Sequence, residues 1–537
     1  MSKRYKLFSF ILCILVIIGI SEFIRTYSSF SIFNAPKILK SNNYIQALSS
    51  VAINEDSSQI RLFEIPLQNQ QISSGVIGVP ASNNNPIVFI LHDLNYTQKP
   101  YDHGFTYLVK HLADNGYLTI SLNISSTFDF KSAQLINIDS LRHLVFQHLY
   151  FLDQSISNNK LHYSLDLSNK GNLNQISLIG HGVGGFGAYS LSNSSEINFH
   201  SALLISPTFI SSAKSIIVPS LPLGIILPQL DGEVKSLDGQ KIYDTLSISN
   251  ELIDPISNLF LKNANHNYFN TMLSSDDSIK LKYNYDKINK LTPLEQQEFL
   301  KNYTLDFLNY YHFNPSNKNI GLNSSLIAPD SIYGFKVLTS LCTPNSLGIL
   351  TPSSNNSTTL NSLGGEISMN NASLNYVVES YMAPHDSAIG FQQPGLPENL
   401  GLFKVSWNVS SGTFSTKIPE SSKDISKYNA LSLWISIDPM NSLNIEPLSF
   451  IIQFKDKFGK IDQILIDSNS IALQQPDGET ISNAYQTQWS TFTPLSNIRI
   501  PLSLLTNISK TNLSSLSIKF NQINSGAILL GNISFLK

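Results

Sequence analysis

The chain has 537 residues and a formal net charge of −3, with 42% hydrophobic and 14% charged residues. This near-neutral charge excludes a strongly basic chain and gives no indication of binding to nucleic acids or anionic membranes. The length suggests roughly three or four domains, or fewer if one is large. The two cysteines are Cys13 and Cys342. They exclude a disulfide framework in the folded part, because Cys13 lies in an N-terminal apolar run.

Residues 1–30 have the pattern of a targeting segment. Lys3, Arg4 and Lys6 precede an apolar run of 14 residues at 7–20, which is short against the ~20 residues of a membrane-spanning helix. The basic flank and the run that follows predict export. A cleaved signal peptide, which leaves the protein secreted, and a retained membrane anchor both fit this pattern. We expect contact with a membrane only through this segment.

Residues 55–313 alternate between strand-like and helix-like patterns. Thr292, Pro293 and Glu295 predict a helix start, since they supply an N-cap, a proline at the first helical position and a capping-box carboxylate. Strands that alternate with helices predict an α/β fold with a mainly parallel, doubly wound sheet. The predicted strands are 59–66, 75–80, 86–93, 117–124, 174–179, 201–206 and 223–228, and the predicted helices are 105–115, 138–155, one from 186, and 292–311.

The composition changes after residue 313. Residues 314–373 are rich in Ser, Asn, Pro and Gly with short apolar islands, which predicts a linker and irregular segment. Residues 374–537 show alternation with a period of two and turn residues between the runs, which predicts an all-β, jelly-roll-like sandwich. Its predicted strands are 402–409, 430–438, 448–454, 461–467, 498–502, 513–520 and 527–535.

The segment 179–185 has the pattern of a nucleophile elbow without its nucleophile. In the Gly-x-Ser-x-Gly signature, a serine stands on a strained turn between a buried strand and a helix, and glycines flank it because the turn is crowded. Here Gly180 and Gly184 keep the glycine positions, and Gly182 stands where the serine belongs. Glycine has no side chain that could attack a substrate. We therefore expect no serine-hydrolase activity.

Two residues further along the chain are candidates for the acid and the base of such a site. In this class of enzyme the order along the chain is serine, acid, histidine. Asp231 follows a buried strand, and His266 lies in the loop after the next strand. An acid in that place would orient a histidine as a base. The alternative is that Asp231 caps a turn and His266 is one loop histidine among eleven.

A family resemblance rests on four segments, HLADNGYLTISLNI, GHGVGGFG, LPQLDGEVKSLDGQKIYD and NANHNYFN. Together they resemble a family of exported bacterial α/β-hydrolases with a C-terminal galactose-binding-like sandwich, broadly similar to dienelactone hydrolases and polyester-hydrolase-like esterases. The resemblance extends from about residue 58 onward. It implies an α/β-hydrolase sheet followed by a sandwich, and a serine esterase site with its acid at Asp231 and its base at His266.

The oxyanion region departs from this family. The family reads His-Gly after its third strand, where this chain reads His92 and Asp93, and Val183 would supply the other oxyanion N–H. If Asp93 faces inward, its charge opposes a developing oxyanion. Equally, it could face solvent or cap the next turn, and the sequence leaves both open. We expect Gly182→Ser to place a hydroxyl near His266 without strain beyond that of the elbow itself.

The histidines do not show the spacing of a metal site such as H-E-x-x-H, so we expect neither a metal nor a cofactor. The histidines considered for such a site are His92, His103, His111, His143, His148 and His181.

Trp434 is a weak candidate for ligand binding. It alternates with Leu433 and Ile435 and shares a face with Ser432 and Ser436, so an outward indole could stack on a sugar ring. A tryptophan packed at an edge or under a loop is the more common outcome.

Three functions follow from these patterns. The first is an exported protein without serine-hydrolase activity, which binds a small or ester-like ligand through a retained pocket or through the C-terminal region. The second is an esterase or acyl hydrolase that works by a non-standard route. The third is a carbohydrate- or surface-binding protein that uses its C-terminal domain.

Overall fold

The computed structural model describes most of the chain after residue 35. The predicted targeting segment 1–30 lies outside the described residues, and within them no helix is both long and apolar enough to cross a membrane. The described ranges are 36–40, 58–67, 71–94, 99–131, 135–194, 196–208, 217–249, 251–281, 288–313, 318–352, 358–377, 401–482, 487–491 and 493–537.

The described part of the chain contains five α-helices and 26 strands. The helices are α1 (Thr106–Asp114), α2 (Ile138–Asn158), α3 (Val183–Leu191), α4 (Asp238–Ser247) and α5 (Pro293–His312). The first half of the strands are β1 (Lys37–Ile38), β2 (Gln59–Pro66), β3 (Ile72–Val79), β4 (Asn85–Leu91), β5 (Leu118–Leu122), β6 (Phe128–Asp129), β7 (Leu135–Ile136), β8 (Gly171–His181), β9 (Ser201–Ile205), β10 (Leu223–Pro228), β11 (Ile256–Leu261), β12 (Ser331–Ile332) and β13 (Phe335–Cys342). The others are β14 (Leu347–Leu350), β15 (Ile367–Asn370), β16 (Ala372–Val377), β17 (Leu402–Trp407), β18 (Gly412–Lys417), β19 (Ala430–Ile437), β20 (Phe450–Asp456), β21 (Ile461–Ile466), β22 (Thr480–Ser482), β23 (Thr487–Trp489), β24 (Ser496–Pro501), β25 (Leu513–Phe520) and β26 (Gly526–Leu536).

Ten strands form one mixed sheet in the order β12-β13-β11-β10-β9-β8-β4-β5-β3-β2. The six central strands, from β5 to β11 in that order, are parallel. Antiparallel pairs form both edges. Because parallel strands end at the same edge of a sheet, the loops after β4, β8, β9, β10 and β11 meet there. These loops carry Asp93, Gly182, Ser206, Asp231 and His266.

Helices cover both faces of this sheet, which explains the continuous apolar runs in its central strands. On one face, Leu141 of α2, Tyr189 of α3 and Ile242 of α4 join the largest hydrophobic core. On the other face, Leu108 of α1 and Phe307 of α5 join a second core. The two cores hold the loop ends of the central strands in fixed positions.

Two further sheets lie in the C-terminal part of the chain. One has the order β1-β21-β20-β25-β18-β15, and the other has the order β16-β17-β26-β19-β24 with β14 paired to β26. Inward-facing residues of both sheets, such as Phe450, Ile518, Ile435 and Ile528, form a common core. One of these sheets contacts the ten-stranded sheet directly, since the Leu341 N–H of β13 donates a hydrogen bond to Asn497 Oδ1 of β24 at 2.6 Å.

The fold class expected from the sequence, an α/β-hydrolase sheet followed by a jelly-roll-like sandwich, is wrong. Strands account for 35% of the described residues and helices for 23%, and the strands form several mixed sheets, so the chain is mainly β. The alternation of strand and helix patterns within 55–313 predicted a larger share of helix than the structure has. It predicted the strands at 59–66 and 75–80 but not their antiparallel pairing, and it did not reveal β13, which pairs antiparallel at the other edge of the large sheet.

The segment 314–373 is not the irregular linker that its composition suggests. Within it, β13 pairs with β11 over Val337–Cys342, and β14, β15 and β16 pair with strands of the two C-terminal sheets. Short apolar islands between Ser and Asn residues gave no clear periodicity, because each strand is stabilised by partners that are distant in sequence.

Candidate functional site

The turn between β8 and α3 has the backbone conformation expected of a nucleophile elbow. Gly182 has φ +54° and ψ −119°, a region that residues with a Cβ rarely adopt. A Cβ at Gly184 would overlap the backbone carbonyls of Leu91 and His92. Glycine is therefore required at 184 by close packing against β4, and it is favoured at 182 by the positive φ.

Asp93 faces inward and fills the space beside Gly182. A Cβ built at residue 182 would overlap the Asp93 carboxylate. The Asp93 Oδ1 accepts a hydrogen bond from the Val183 N–H at 2.7 Å, and its Oδ2 lies 3.0 Å from His266 Nε2. Of the two placements that the sequence left open for Asp93, the structure has the inward one. A carboxylate thus stands where the hydroxyl of a serine nucleophile would stand.

The environment of Asp93 keeps its carboxylate ionised. Burial raises the pKa of Asp93, but the hydrogen bond and the charge of His266 outweigh this effect and hold the pKa at about 2. The side chain of Asp93 is 15% exposed, whereas that of His266 is fully buried. Solvent therefore reaches this cluster from the side of Asp93.

Asp231 and His266 lie in contact, as the order of the sequence motifs implies. His266 Nδ1 is 3.3 Å from a carboxylate oxygen of Asp231 and 3.0 Å from the Ser206 hydroxyl. The Ser206 hydroxyl also donates a hydrogen bond to Asp231. Asp231 Oδ1 accepts hydrogen bonds from the backbone N–H groups of Glu233 and Val234 at 3.0 and 2.7 Å. These bonds fix both the carboxylate and the imidazole.

His266 is held between two carboxylates. Burial lowers the pKa of His266, but the charges and hydrogen bonds of Asp231 and Asp93 outweigh burial and raise the pKa well above its ordinary value. An imidazolium can donate from both nitrogens, and here each nitrogen faces a carboxylate. In serine hydrolases the Nε2 of this histidine instead accepts a proton from the nucleophile. The arrangement therefore differs from that of a serine hydrolase, which has a hydroxyl at this position and a free base on the histidine.

His92 has a structural contact rather than a free imidazole. Its Nδ1 lies 2.6 Å from the backbone carbonyl of Asp93, and its Nε2 accepts the Ile124 N–H at 3.0 Å. Burial lowers the pKa of His92. Since both nitrogens have backbone partners, His92 fixes the loop that places Asp93 and is not directed at a substrate.

Three further residues surround the site. The sequence patterns did not indicate Ser206 or Asp277, and they gave no ligand role to His181. Ser206 follows β9 in a left-handed conformation with φ +45°. Asp277 accepts the backbone N–H groups of Gly232 at 2.7 Å and of Asn267 at 3.0 Å, and burial raises its pKa to about 6. His181 lies beside His266, with ring centroids 4.4 Å apart and ring planes tilted by 34°. The positive φ of Ser206 has no sequence signal, because serine is common in any loop.

Trp434 does not face solvent, contrary to the arrangement that sugar stacking requires. Its side chain is 3% exposed, and its ring lies 5.8 Å from that of Tyr243 in α4. It also covers Gly531, where a Cβ would overlap the indole. Trp434 therefore packs between its own sheet and helix α4.

Comparison with protein-family models and with curated proteins yields no match. The functional argument therefore rests on the residues of this chain.

Proposed function

We propose that this chain is an exported binding protein whose site resembles that of a serine esterase but does not carry out acyl transfer. The observation that carries the proposal is the place of the Asp93 carboxylate. It overlaps the position that a side chain at residue 182 would need, and it lies 3.0 Å from His266 Nε2. A serine hydrolase needs that space for a hydroxyl and that nitrogen as a proton acceptor. The basic and apolar pattern of residues 1–30 supports export.

A cavity of about 540 Å³ between the ten-stranded sheet and the C-terminal sheets is the candidate binding site. Its volume falls in the range of small-molecule sites, roughly 300–1,000 Å³. Asp330 and Lys336 line it from one side. Ile498 of β24 and the loop residues Asp467 and Gln474 line it from the C-terminal part of the chain. This mixture of donors, acceptors and apolar surface suits a small ligand that carries hydroxyl groups, such as a carbohydrate.

The absence of serine chemistry can be tested with a fluorophosphonate probe and short-chain nitrophenyl esters. We expect the purified protein to show no covalent labelling and no ester turnover above buffer, while a serine esterase in the same assay shows both. Labelling of any serine would overturn the proposal. Turnover without labelling would also overturn it, in favour of a hydrolase that works by a non-serine route.

The binding site can be tested by screening the protein against immobilised and soluble glycans. We expect a glycan hit to be weakened at least tenfold by Lys336→Met or Asp467→Asn, which remove charges from the cavity lining. The matched control is Lys455→Met, at an exposed position on β20, and it should bind as the native chain does. Binding that is insensitive to both cavity variants would place the ligand elsewhere.

A further inference from the structure

Three ligand-type side chains from distant parts of the sequence converge beside Gly182. Asp93, His181 and His266 each offer one ligand atom, and these atoms lie within 4.8 Å of one another. They come from the loop after β4, the end of β8 and the loop after β11, which meet at one edge of the sheet. No local motif links residues 93, 181 and 266, so spacing along the sequence could not reveal the cluster.

We propose that Asp93, His181 and His266 bind one divalent transition-metal ion of the zinc class, with Asp231 as a positioning residue. Two imidazole nitrogens and one carboxylate oxygen form a donor set that such ions accept. Three protein ligands leave at least one coordination position for water or another small ligand.

In both imidazoles one nitrogen is held by a partner of the kind that metal-bound histidines have. A histidine ligand commonly donates its second N–H to a carboxylate or a backbone carbonyl. His266 Nδ1 faces Asp231 at 3.3 Å, which leaves Nε2 toward Asp93. His181 Nε2 lies 3.2 Å from the backbone carbonyl of His266 and must be its donor, because a carbonyl only accepts. In a neutral imidazole this leaves the lone pair on His181 Nδ1.

The nitrogen that remains on His181 has no partner. His181 is fully buried, and its Nδ1 has no hydrogen-bond partner among the described residues. The edges of Phe105 and Phe269 pack near the ring, with centroids 5.9 and 6.2 Å away. A buried lone pair without a partner is costly. A metal ion at the cluster would satisfy it.

The distance between Asp93 and His266 also suits a shared ion. Two ligand atoms about 2.1 Å from a metal at octahedral or tetrahedral angles lie roughly 3.0–3.4 Å apart. Asp93 Oδ2 and His266 Nε2 are 3.0 Å apart, and Asp93 Oδ1 remains engaged with the Val183 N–H. The metal replaces the proton between the carboxylate and the imidazole, and that proton is released to solvent.

The test is metal binding by tag-free protein that has been freed of metal with a chelator. When Zn²⁺ is added back, elemental analysis should find one equivalent per chain. When Co²⁺ is added instead, a visible absorption band should appear. Asp93→Asn and His181→Gln should abolish the cobalt band. Asp231→Asn should keep it but weaken Zn²⁺ binding by about 10- to 100-fold.

Matched variants keep the result interpretable. His143→Gln removes an exposed histidine of α2 and should bind metal as the native chain does. Asn at position 93 still accepts the Val183 N–H, so this variant should fold, and thermal unfolding of each variant checks that it has. The proposal is overturned if the native chain binds no stoichiometric metal, or if folded Asp93→Asn binds it equally well. Either result leaves the fluorophosphonate test unaffected.

Discussion

The position of the Asp93 side chain depends on the absence of a side chain at residue 182. The carboxylate of Asp93 fits because residue 182 has no side chain, and it is held there by the Val183 N–H and by His266. A serine at 182 would compete for the same space and for the same histidine nitrogen. The absence of a side chain at residue 182 and the inward carboxylate of Asp93 are therefore two parts of one arrangement at the site.

Gly182→Ser alone should destabilise the protein and give no esterase activity. This differs from the sequence expectation, because the new side chain overlaps Asp93 as well as adopting a positive φ. The double variant Gly182→Ser with Asp93→Gly should regain stability and become open to fluorophosphonate labelling. Melting temperature and labelling are the measurements.

Gly459→Ser is the matched control for this prediction. Gly459 also has a positive φ, +84°, but a Cβ there meets nothing within 4 Å. Its substitution reports the backbone cost alone, about 1 kcal/mol. If Gly182→Ser lowers the free energy of unfolding no more than Gly459→Ser does, Asp93 does not occupy the space that we describe.

Single residues at the site were predictable only where a motif exists. The glycine turn and the chain order of Asp231 and His266 identified residues that the structure brings together. The same patterns could not orient Asp93, because a loop aspartate can cap a turn as readily as it can face inward. Ser206 and Asp277 act through backbone geometry and buried hydrogen bonds, which leave no signature in the sequence.

At the scale of elements, helix α5 stabilises the loop that carries His266. Its N-terminus has the predicted capping box of Thr292 and Glu295, with a proline in the first turn, and this prediction is confirmed. One turn later, Gln296 donates to the Asn265 carbonyl at 2.6 Å and accepts the Asn265 N–H at 3.0 Å. The start of the helix therefore fixes the residue before His266.

Thr292→Ala should lower the free energy of unfolding by about 1 kcal/mol, because it removes the N-cap acceptor. Chemical denaturation measures the effect. The control is Thr245→Ala in α4, whose hydroxyl donates only to the Lys241 carbonyl of its own helix and should change stability little. Equal effects of the two variants would argue against a stabilising capping box.

Strands with distant partners were the elements least accessible from the sequence. The sequence pattern that predicts the start of α5 is local, because the capping-box residues Thr292 and Glu295 lie within a few residues of each other. By contrast, β13 is stabilised by pairing with β11, about 80 residues earlier in the chain. Its Ser- and Thr-containing pattern resembles a loop until that partner is known.

At the scale of the whole molecule, the N-terminal and C-terminal parts are joined by buried contacts. Arg499 of β24 is buried and donates to the Leu326 carbonyl at 2.7 Å and to the Gly321 carbonyl at 3.1 Å. Trp434 of β19 packs on Tyr243 of α4. The composition of the chain indicated large cores, but it could not show that one of them crosses this junction.

Trp434→Ala should destabilise the protein by roughly 3–5 kcal/mol, the usual cost of removing a large buried aromatic side chain. Trp489→Ala is the control, since Trp489 is only partly buried and should cost less. Both values come from denaturant unfolding of the full chain. A small effect at Trp434 would mean that the junction adds little to stability.

Buried neutral histidines should make the protein sensitive to acid. Burial lowers the pKa of His148 and of His312 to about 3, so both are neutral in the folded state, whereas the unfolded chain takes up protons near pH 6.5. The unfolded state therefore binds more protons between about pH 6.5 and pH 3. The free energy of unfolding should fall with decreasing pH in that window, by at most about 1.4 kcal/mol per pH unit for each histidine.

His148→Gln should reduce this pH dependence, because it removes one of the buried histidines with a lowered pKa. The native His148 bonds to Ser73 at 2.8 Å and to Tyr163 at 2.9 Å, so some loss of stability at neutral pH is also expected. An unaltered slope in His148→Gln would show that this histidine is not kept neutral.

The measurement that tests the central claim most directly is an NMR titration of His266 in the metal-free protein, in the native chain and in Asp93→Asn. If Asp93 holds the nucleophile position against His266, the imidazole stays protonated on both nitrogens well above pH 6.5. Its contribution to stability is then complete below pH 6.5 and is lost as the pH rises through the folded-state pKa. Asp93→Asn should lower that pKa markedly. A His266 that titrates at or below pH 6.5 in the native chain, with no change in Asp93→Asn, would contradict the account.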